Sequence, residues 1–268
     1  MLDIHQLKEK VRGKTVGIVA LGKSIEELER RRASFNHKDM IWVGLGQFDI
    51  IDFLKFDIIV DMASVPESRL VRYEPVRMAR ISKALCDNPE RIWITSDGLH
   101  RDVILRLKMV QFWEQHSNRT MFIDSIFPRD KIAKFMEVPN SLTLCVAAMI
   151  AGMAKRIIIF GCDGYDGSYA DGAYSYYKSE EVKKERQLAL GSIEDPGINR
   201  DTKAFQNKFK DFYALYCSHF NNFPDIYNCS PNTIYTNMRK INYDEAIRLL
   251  NGEELEPERE GDGWQIIY

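Results

Sequence analysis

The stretch Thr15–Leu28, TVGIVALGKSIEEL, decides the fold. Its first half is short, apolar and rich in β-branched residues, which predicts a buried strand over Thr15–Leu21. Gly22, Lys23 and Ser24 then make a tight turn. Ser24 stands at a helix N-cap position, and Glu26 and Glu27 occupy the first turn, where the helix dipole favours carboxylates. The reading is strand, glycine turn, helix.

The same alternation recurs along the chain. Met40–Val43 and Phe56–Asp61 read as strands, apolar at consecutive positions as expected when both faces of a sheet are covered. A helix over Glu67–Leu85 leads to a strand at Arg91–Thr95. A second helix, about Leu99–His116, leads to another at Thr120–Ile123. Asn140–Gly152 is small and apolar on every side, which predicts a buried helix lying on the sheet before the strand Arg156–Phe160. Phe205, Phe209, Phe212, Tyr216 and Phe220 form a helical stripe, and Asp225–Asn228 is the last strand expected. Strands alternating with helices predict an α/β fold with a doubly wound, Rossmann-like, mostly parallel sheet. Between Gly164 and about residue 197 the periodicity fails, and this segment is expected to be a flexible lid. Residues 1–250 then form one domain, followed by an acidic tail over 251–268.

Composition narrows the function classes. A chain of 268 residues buries roughly 70–75% of its unfolded surface and needs neither disulfides nor a structural metal to build a core. Lys and Arg number 37 against 39 Asp and Glu, a net charge of −2, so no global field draws in nucleic acid. The longest strongly apolar run, Leu144–Ala154, is eleven residues, short of the roughly 18–20 that span a bilayer. With no signal-peptide core near Met1 and five scattered cysteines lacking a C-x-x-C pair, a reduced, cytoplasmic protein is expected.

In an open parallel sheet, ligands bind beyond the carboxyl ends of the strands. Five polar turns fall there: Gly22-Lys23-Ser24, Gly44-Leu45-Gly46-Gln47, Thr95-Ser96-Asp97-Gly98, Gly161-Cys162-Asp163-Gly164 and Ser230-Pro231-Asn232-Thr233. Neither Gly22-Lys23-Ser24 nor Gly44-x-Gly46 completes a Walker or dinucleotide fingerprint. The five histidines do not pair at metal-ligand spacing, so no zinc site is expected. Asp163, Asp166 and Asp171 fit no EF-hand; they serve loop solubility, or one of them holds a ribose or acts as a base. Tyr165, Tyr169, Tyr174, Tyr176 and Tyr177 alternate with small and polar residues. They suit stacking on a base or sugar, or else a lid packed on its own domain.

The order of these blocks resembles the glycosyltransferase family 42 bacterial sialyltransferases, and more loosely the Maf-type flagellin glycosyltransferases and the archaeal pterin pyrophosphokinase-like family. Ala20-Leu21-Gly22-Lys23-Ser24-Ile25 is similar to the family's Gly-Asn-Gly-Pro-Ser-Leu, and Gly46-Gln47-Phe48 to its Asn-Gln-Phe. NSLTLCVAAMIAGMAKRIIIFGCDGY (Asn140–Tyr165) resembles its Thr-Ser-Gly helix, strand and Gly-x-Asp-x-Tyr turn. Asn199–Phe205 is similar to its Asn-Thr-Asp-x-Lys-Ala-Leu, and Cys229–Thr233 to its Cys-Pro-Asn-Ser turn. The resemblance implies a glycosyltransferase with a CMP-linked sugar donor, a glycan or glycolipid acceptor, inverting transfer without a required metal or cofactor, and a homo-oligomer. A glycolipid acceptor adds association with the inner face of the membrane. It assigns Gly22, Ser24 and Gln47 to the nucleotide, Asn140 and Ser141 to the phosphate or carboxylate, Asp163 and Tyr165 to the ribose and leaving phosphate, and Ser230, Asn232 and Thr233 to the opposite wall. The family's catalytic His is replaced here by Asp195-Pro196-Gly197-Ile198, leaving Asp166 and Asp195 as candidate bases. Two alternatives keep the fold: ATP-dependent pyrophosphoryl transfer with Mg²⁺ held by Asp163 and Asp166, or an inactive nucleotide-binding relative.

Overall fold

The computed structural model describes residues 2–35, 39–46, 48–61, 67–95, 110–122, 141–163, 224–230, 233 and 238–255. Eight strands are described: β1 (Thr15–Val19), β2 (Met40–Leu45), β3 (Ile58–Asp61), β4 (Ile92–Thr95), β5 (Thr120–Phe122), β6 (Arg156–Phe160), β7 (Asp225–Cys229) and β8 (Arg239–Lys240). They form one sheet in the order β5-β4-β3-β2-β1-β6-β7-β8, and every described pairing is parallel. The expected α/β sheet is therefore present, and it is parallel throughout rather than mostly so. Winding runs outward from β1 to β5, then returns to the other side of β1 and runs outward to β8. The reversal lies between β1 and β6, which are paired from Thr15–Arg156 to Val19–Phe160.

Among the described residues, six helices cover the two faces: α1 (Ile4–Val11), α2 (Ile25–Arg30), α3 (Glu67–Asp87), α4 (Val110–His116), α5 (Ser141–Ala151) and α6 (Tyr243–Leu250). Val16, Ile18, Val43, Ile58, Val60, Ile157 and Ile159 point to one face and pack with α1 and α5. Val19, Trp42, Ile59, Trp93, Ile158 and Phe160 point to the other and pack with α2, α3, α4 and α6. Alternate residues of one strand thus enter separate cores, which is why the strands read as unbroken apolar runs. As expected, α5 is buried on every side: each residue from Leu144 to Ala151 is at most 4% exposed.

On the second face, absent side chains make room for large ones. A Cβ on Gly17 would stand 2.5 Å from the Met40 Cε and 2.7 Å from the Trp42 ring, and one on Gly44 would stand 2.6 Å from the Phe48 Cβ. Trp42 lies over the vacated strand surface and meets Phe160 at 5.7 Å between ring centroids. Phe160 also stacks edge-on with Phe35 at 5.3 Å and contacts Tyr243 at 5.9 Å. Further along, Arg77 of α3 is fully buried and donates from Nε to the Asp61 carboxylate at 2.6 Å. Its guanidinium lies 5.8 Å from the Trp93 ring centroid. Arg80 reaches Asp49 at 3.2 Å, so α3 is tied electrostatically to the end of β3 and to the short turn at Phe48–Ile50.

Differences from the sequence reading lie at its ends and caps. Helices α1 and α6 and strand β8 were not anticipated. Both helices open on capping boxes, Asp3 with Gln6 and Asn242 with Glu245. Gln47, the proposed lid over 164–197, the aromatic stripe at 205–220 and residues 256–268 of the tail lie outside the described residues. Leu255, within the expected tail, packs against the second core. No described helix is long and apolar enough to cross a membrane.

His116 ends α4 with 2% of its surface exposed. Arg119 Nη2 lies 2.9 Å from His116 Nδ1, and because guanidinium can only donate, Nδ1 accepts and Nε2–H faces Ser82 Oγ at 3.3 Å. Burial, then the Arg119 charge, lower the imidazole pKa from its ordinary value. The folded state therefore holds the neutral ring, and its contribution is complete above the unfolded pKa of about 6.5. That contribution is lost as pH falls through the window below, where only the unfolded chain takes up the proton. Urea midpoints measured between pH 7.5 and 5.5 should fall more steeply for the parent than for His116→Gln. A second variant, Gly17→Ala, should lose about 1–3 kcal/mol in urea unfolding from overpacking against Trp42 and Met40.

Candidate functional site

The two strands at the winding reversal end together. The Ala20 amide donates to the Phe160 carbonyl at 2.8 Å, and the Gly22 amide to the Gly161 carbonyl at 2.7 Å. The loops after β1 and β6 are therefore laced to each other one turn beyond the sheet. Gly161 adopts φ +68°, and a Cβ there would stand 2.5 Å from the Ala20 carbonyl oxygen; only glycine combines that backbone with that approach. A Cβ on Gly22 would stand 2.5 Å from both the Asp163 Oδ2 and the Gly161 carbonyl oxygen.

This closeness delivers Asp163 to the start of α2. Its Oδ2 accepts from the Ser24 amide at 2.8 Å. Ser24 does occupy the N-cap position, but its hydroxyl makes no cap hydrogen bond. The Glu26 and Glu27 amides instead donate to the Lys23 and Ser24 carbonyls, while a carboxylate 139 positions later takes the Ser24 amide and suits the positive end of the helix dipole. Two polar atoms remain: Ser24 Oγ and Asp163 Oδ1 are both buried and both without a hydrogen-bond partner. Such atoms cost free energy unless something satisfies them.

The third wall comes from β7. Asn228 and Ser230 are fully buried and Thr233 is 4% exposed. The Cys162 amide donates to Ser230 Oγ at 2.9 Å. The Cys162 carbonyl accepts from Thr233 Oγ1 at 2.8 Å and from Asn228 Nδ2 at 3.2 Å. Asn228 Nδ2 also donates to Thr233 Oγ1 at 3.0 Å. Burial, then the neighbouring Asp163, pushes the Cys162 thiol up to about 12, so the sulfur is a protonated, unreactive packing group. On the α2 side, the Tyr243 hydroxyl donates to the Ser24 carbonyl at 2.8 Å, and Arg31 pairs with both Glu27 and Asp244, fastening α2 to α6.

Of the residues expected at the site, Gly22, Ser24 and Asp163 are in mutual contact, and Ser230 and Thr233 join them through the Cys162 backbone. Ser141 opens α5, half-buried. Since α5 returns antiparallel to the strands, with Ala154 and Lys155 just before β6, its first residue lies toward the carboxyl edge of the sheet. Gln47, Asn140, Tyr165, Asp166, Asp195 and Asn232 lie outside the described residues. Asn228 and Tyr243 were missed by sequence reasoning. A polar residue near the end of a buried strand and the Asn242-x-x-Glu245 capping box were the available signals. Among the described residues, no group of three or more His, Cys, Asp or Glu is placed to hold a metal ion. A cavity of about 820 Å³ opens at the opposite, amino edge of the sheet, walled by Arg12, Lys14, Asp39, Arg156, Asp225 and Glu253 among others. Its charges are mixed in sign, and it does not adjoin the strand ends where the loops are laced.

No family model matches the sequence, and no curated protein matches it. Among solved structures, the chain is similar to the sialyltransferase CstII from Campylobacter jejuni in complex with a substrate analogue, cytidine-5'-monophosphate. The identity is 20%, the TM-score is 0.50, and the match covers 86% of this chain and 85% of that one. The likeness is one of fold. A second CstII structure, in complex with the substrate analogue CMP-3FNeuAc, matches at 16% identity and a TM-score of 0.47, over 91% of this chain and 86% of that one.

Replacing Gly22 by Ala should force the Asp163 carboxylate off the Ser24 amide, because the added Cβ has only backbone and carboxylate to displace. The expected result is a destabilisation of about 1–3 kcal/mol in urea unfolding, as for other overpacked positions. Amide exchange should show increased exposure of the Ser24 N–H before global unfolding.

Proposed function

We propose that this chain is a glycosyltransferase that binds a nucleotide-activated, CMP-linked sugar and transfers the sugar to a hydroxyl of a glycan or glycolipid. The observation that carries the reading is the pair of buried, unpartnered atoms at the winding reversal, Ser24 Oγ and Asp163 Oδ1. A hydroxyl can donate and accept, whereas a carboxylate oxygen only accepts. A ligand with adjacent hydroxyl groups, such as a ribose, satisfies both, and the crevice beyond the strand ends at a reversal of order is where nucleotides bind in open α/β sheets. The CstII-like fold and the order of the sequence blocks agree with a CMP-linked donor.

In this reading Gly22 brings the backbone close, while Ser24 and Asp163 hold the ribose. Gln47 meets the base side, and Asn140 and Ser141 meet the phosphate or carboxylate at the start of α5. Tyr165 contacts the leaving phosphate, with Ser230, Asn232 and Thr233 forming the far wall. The acceptor oxygen forms a bond to the anomeric carbon as the bond from that carbon to the phosphate oxygen breaks. Configuration inverts, CMP leaves, and a base takes the acceptor proton; Asp166 and Asp195 are the carboxylates proposed for it. The remaining elements of the reading are a single domain over 1–250 with a lid at 164–197, self-association, and a cytoplasmic location at the inner face of the membrane.

Titration with CMP should raise the melting temperature, by an amount corresponding to about 2.7 kcal/mol at a hundredfold excess over Kd. Ser24→Ala should reduce the gain. No shift with CMP, CDP or CMP-linked sugars would remove the proposal, and a shift with ATP alone would redirect it to pyrophosphoryl transfer.

A further inference from the structure

Asp163 lies three residues beyond the end of β6, and the backbone leading to it is held by side chains. The residue before it, Cys162, has both of its backbone polar groups bound by side chains of a neighbouring strand end. Ser230 takes the amide, while Thr233 and Asn228 share the carbonyl. All three side chains are buried, so these bonds form away from competing water and are strong and directional. Thr233 is central: its one hydroxyl proton goes to the Cys162 carbonyl, and its lone pair receives Asn228 Nδ2. The Thr233 amide donates to the Ser230 carbonyl at 3.0 Å, which holds the two residues together while one hydroxyl meets the Cys162 amide and the other its carbonyl.

We propose that Thr233, with Ser230 and Asn228, is a positioning residue: the three clamp the Cys162 backbone and thereby set the direction of the Asp163 carboxylate toward the nucleotide. Ser230 Oγ, Thr233 Oγ1 and Asn228 Nδ2 are engaged on Cys162, so the wall these residues form acts on the ligand through the backbone that leads to Asp163. The clamp fixes the chain on one side of Asp163, and the Ser24 amide fixes its Oδ2 on the other. What is left without a partner is the buried Oδ1. The inference rests on the nucleotide reading above.

The test uses the full chain and CMP as probe, with Kd read by calorimetry. Thr233→Val keeps the shape and removes the hydroxyl; CMP binding should weaken about tenfold or more, as for other residues that act through a ligating group. Thr233→Ser should restore binding to within about threefold of the parent, because the same proton returns to the same carbonyl. Combining Thr233→Val with Asp163→Asn should cost no more than Asp163→Asn alone, because a residue acting through Asp163 has nothing further to lose. Should Thr233→Val not fold, Ser230→Ala, which opens only the amide side, carries the same expectations. A lowered melting temperature with unchanged CMP affinity, or losses that add in full, would show a structural role and overturn the inference. Absence of CMP binding by the parent would instead overturn the nucleotide reading itself, and the inference with it.

Discussion

One hydrogen bond organises the working end of this molecule: the Ser24 amide donating to the Asp163 carboxylate. It joins the loop after β1 to the loop after β6, and it is possible only because neither Gly22 nor Gly161 carries a side chain. Every neighbouring feature serves or depends on it. Tyr243 holds the Ser24 carbonyl from the α6 side, and the β7 hydroxyls hold Cys162 from the other. The residue that opens α2 is thereby held by a tertiary contact, so the helix start and the loop after β6 cannot be separated.

The sheet beneath explains why so small a contact can be so well defined. Two parallel strands that end in register, Val19 beside Phe160, present their loops side by side without adjustment. The faces are packed unequally. One holds aliphatic residues against α1 and the buried α5; the other holds Trp42, Trp93, Phe35, Phe160 and Tyr243. The aromatic side needs Gly17 and Gly44 as floor, and in return it supplies Tyr243, whose ring is core and whose hydroxyl reaches the loop. Burial first, then Cys229 and Asp163, raises that phenol well above its ordinary range, so it stays protonated and keeps donating.

Seven of the eight described strands and most described helices were legible because burial on both sheet faces writes itself as uninterrupted apolar runs, as in Ile157, Ile158 and Ile159. The turns were legible as turns, since glycine and serine after such runs have few other uses. Bond partners were not. Ser24 has the right residue type and the right place for a local cap, yet its hydroxyl makes no cap bond; its amide is held by a carboxylate 139 positions away, and no local pattern encodes that. Ser230 and Thr233 were recognised as polar residues at a strand end, but their attachment to Cys162 depends on the β6–β7 pairing. Asn228 looked like part of a strand and nothing more. Helix α6 was passed over because its capping residue is Asn242 and its eight residues are half polar, although Tyr243, Ala246 and Leu249 are all buried.

The strand order has a corollary for how the molecule divides. From β1 to β5, each strand lies beside the next one in the chain, so five strands can assemble from neighbours alone. The seam between β1 and β6 is different: Thr15 faces Arg156, and closing that distance along the polypeptide carries a larger entropic cost than any step before it. The laced loops sit on this seam. A fragment ending ahead of β6 would retain five adjacent strands and lack Asp163 and its partners altogether, so the laced loops belong to the joining of two halves and to neither half by itself.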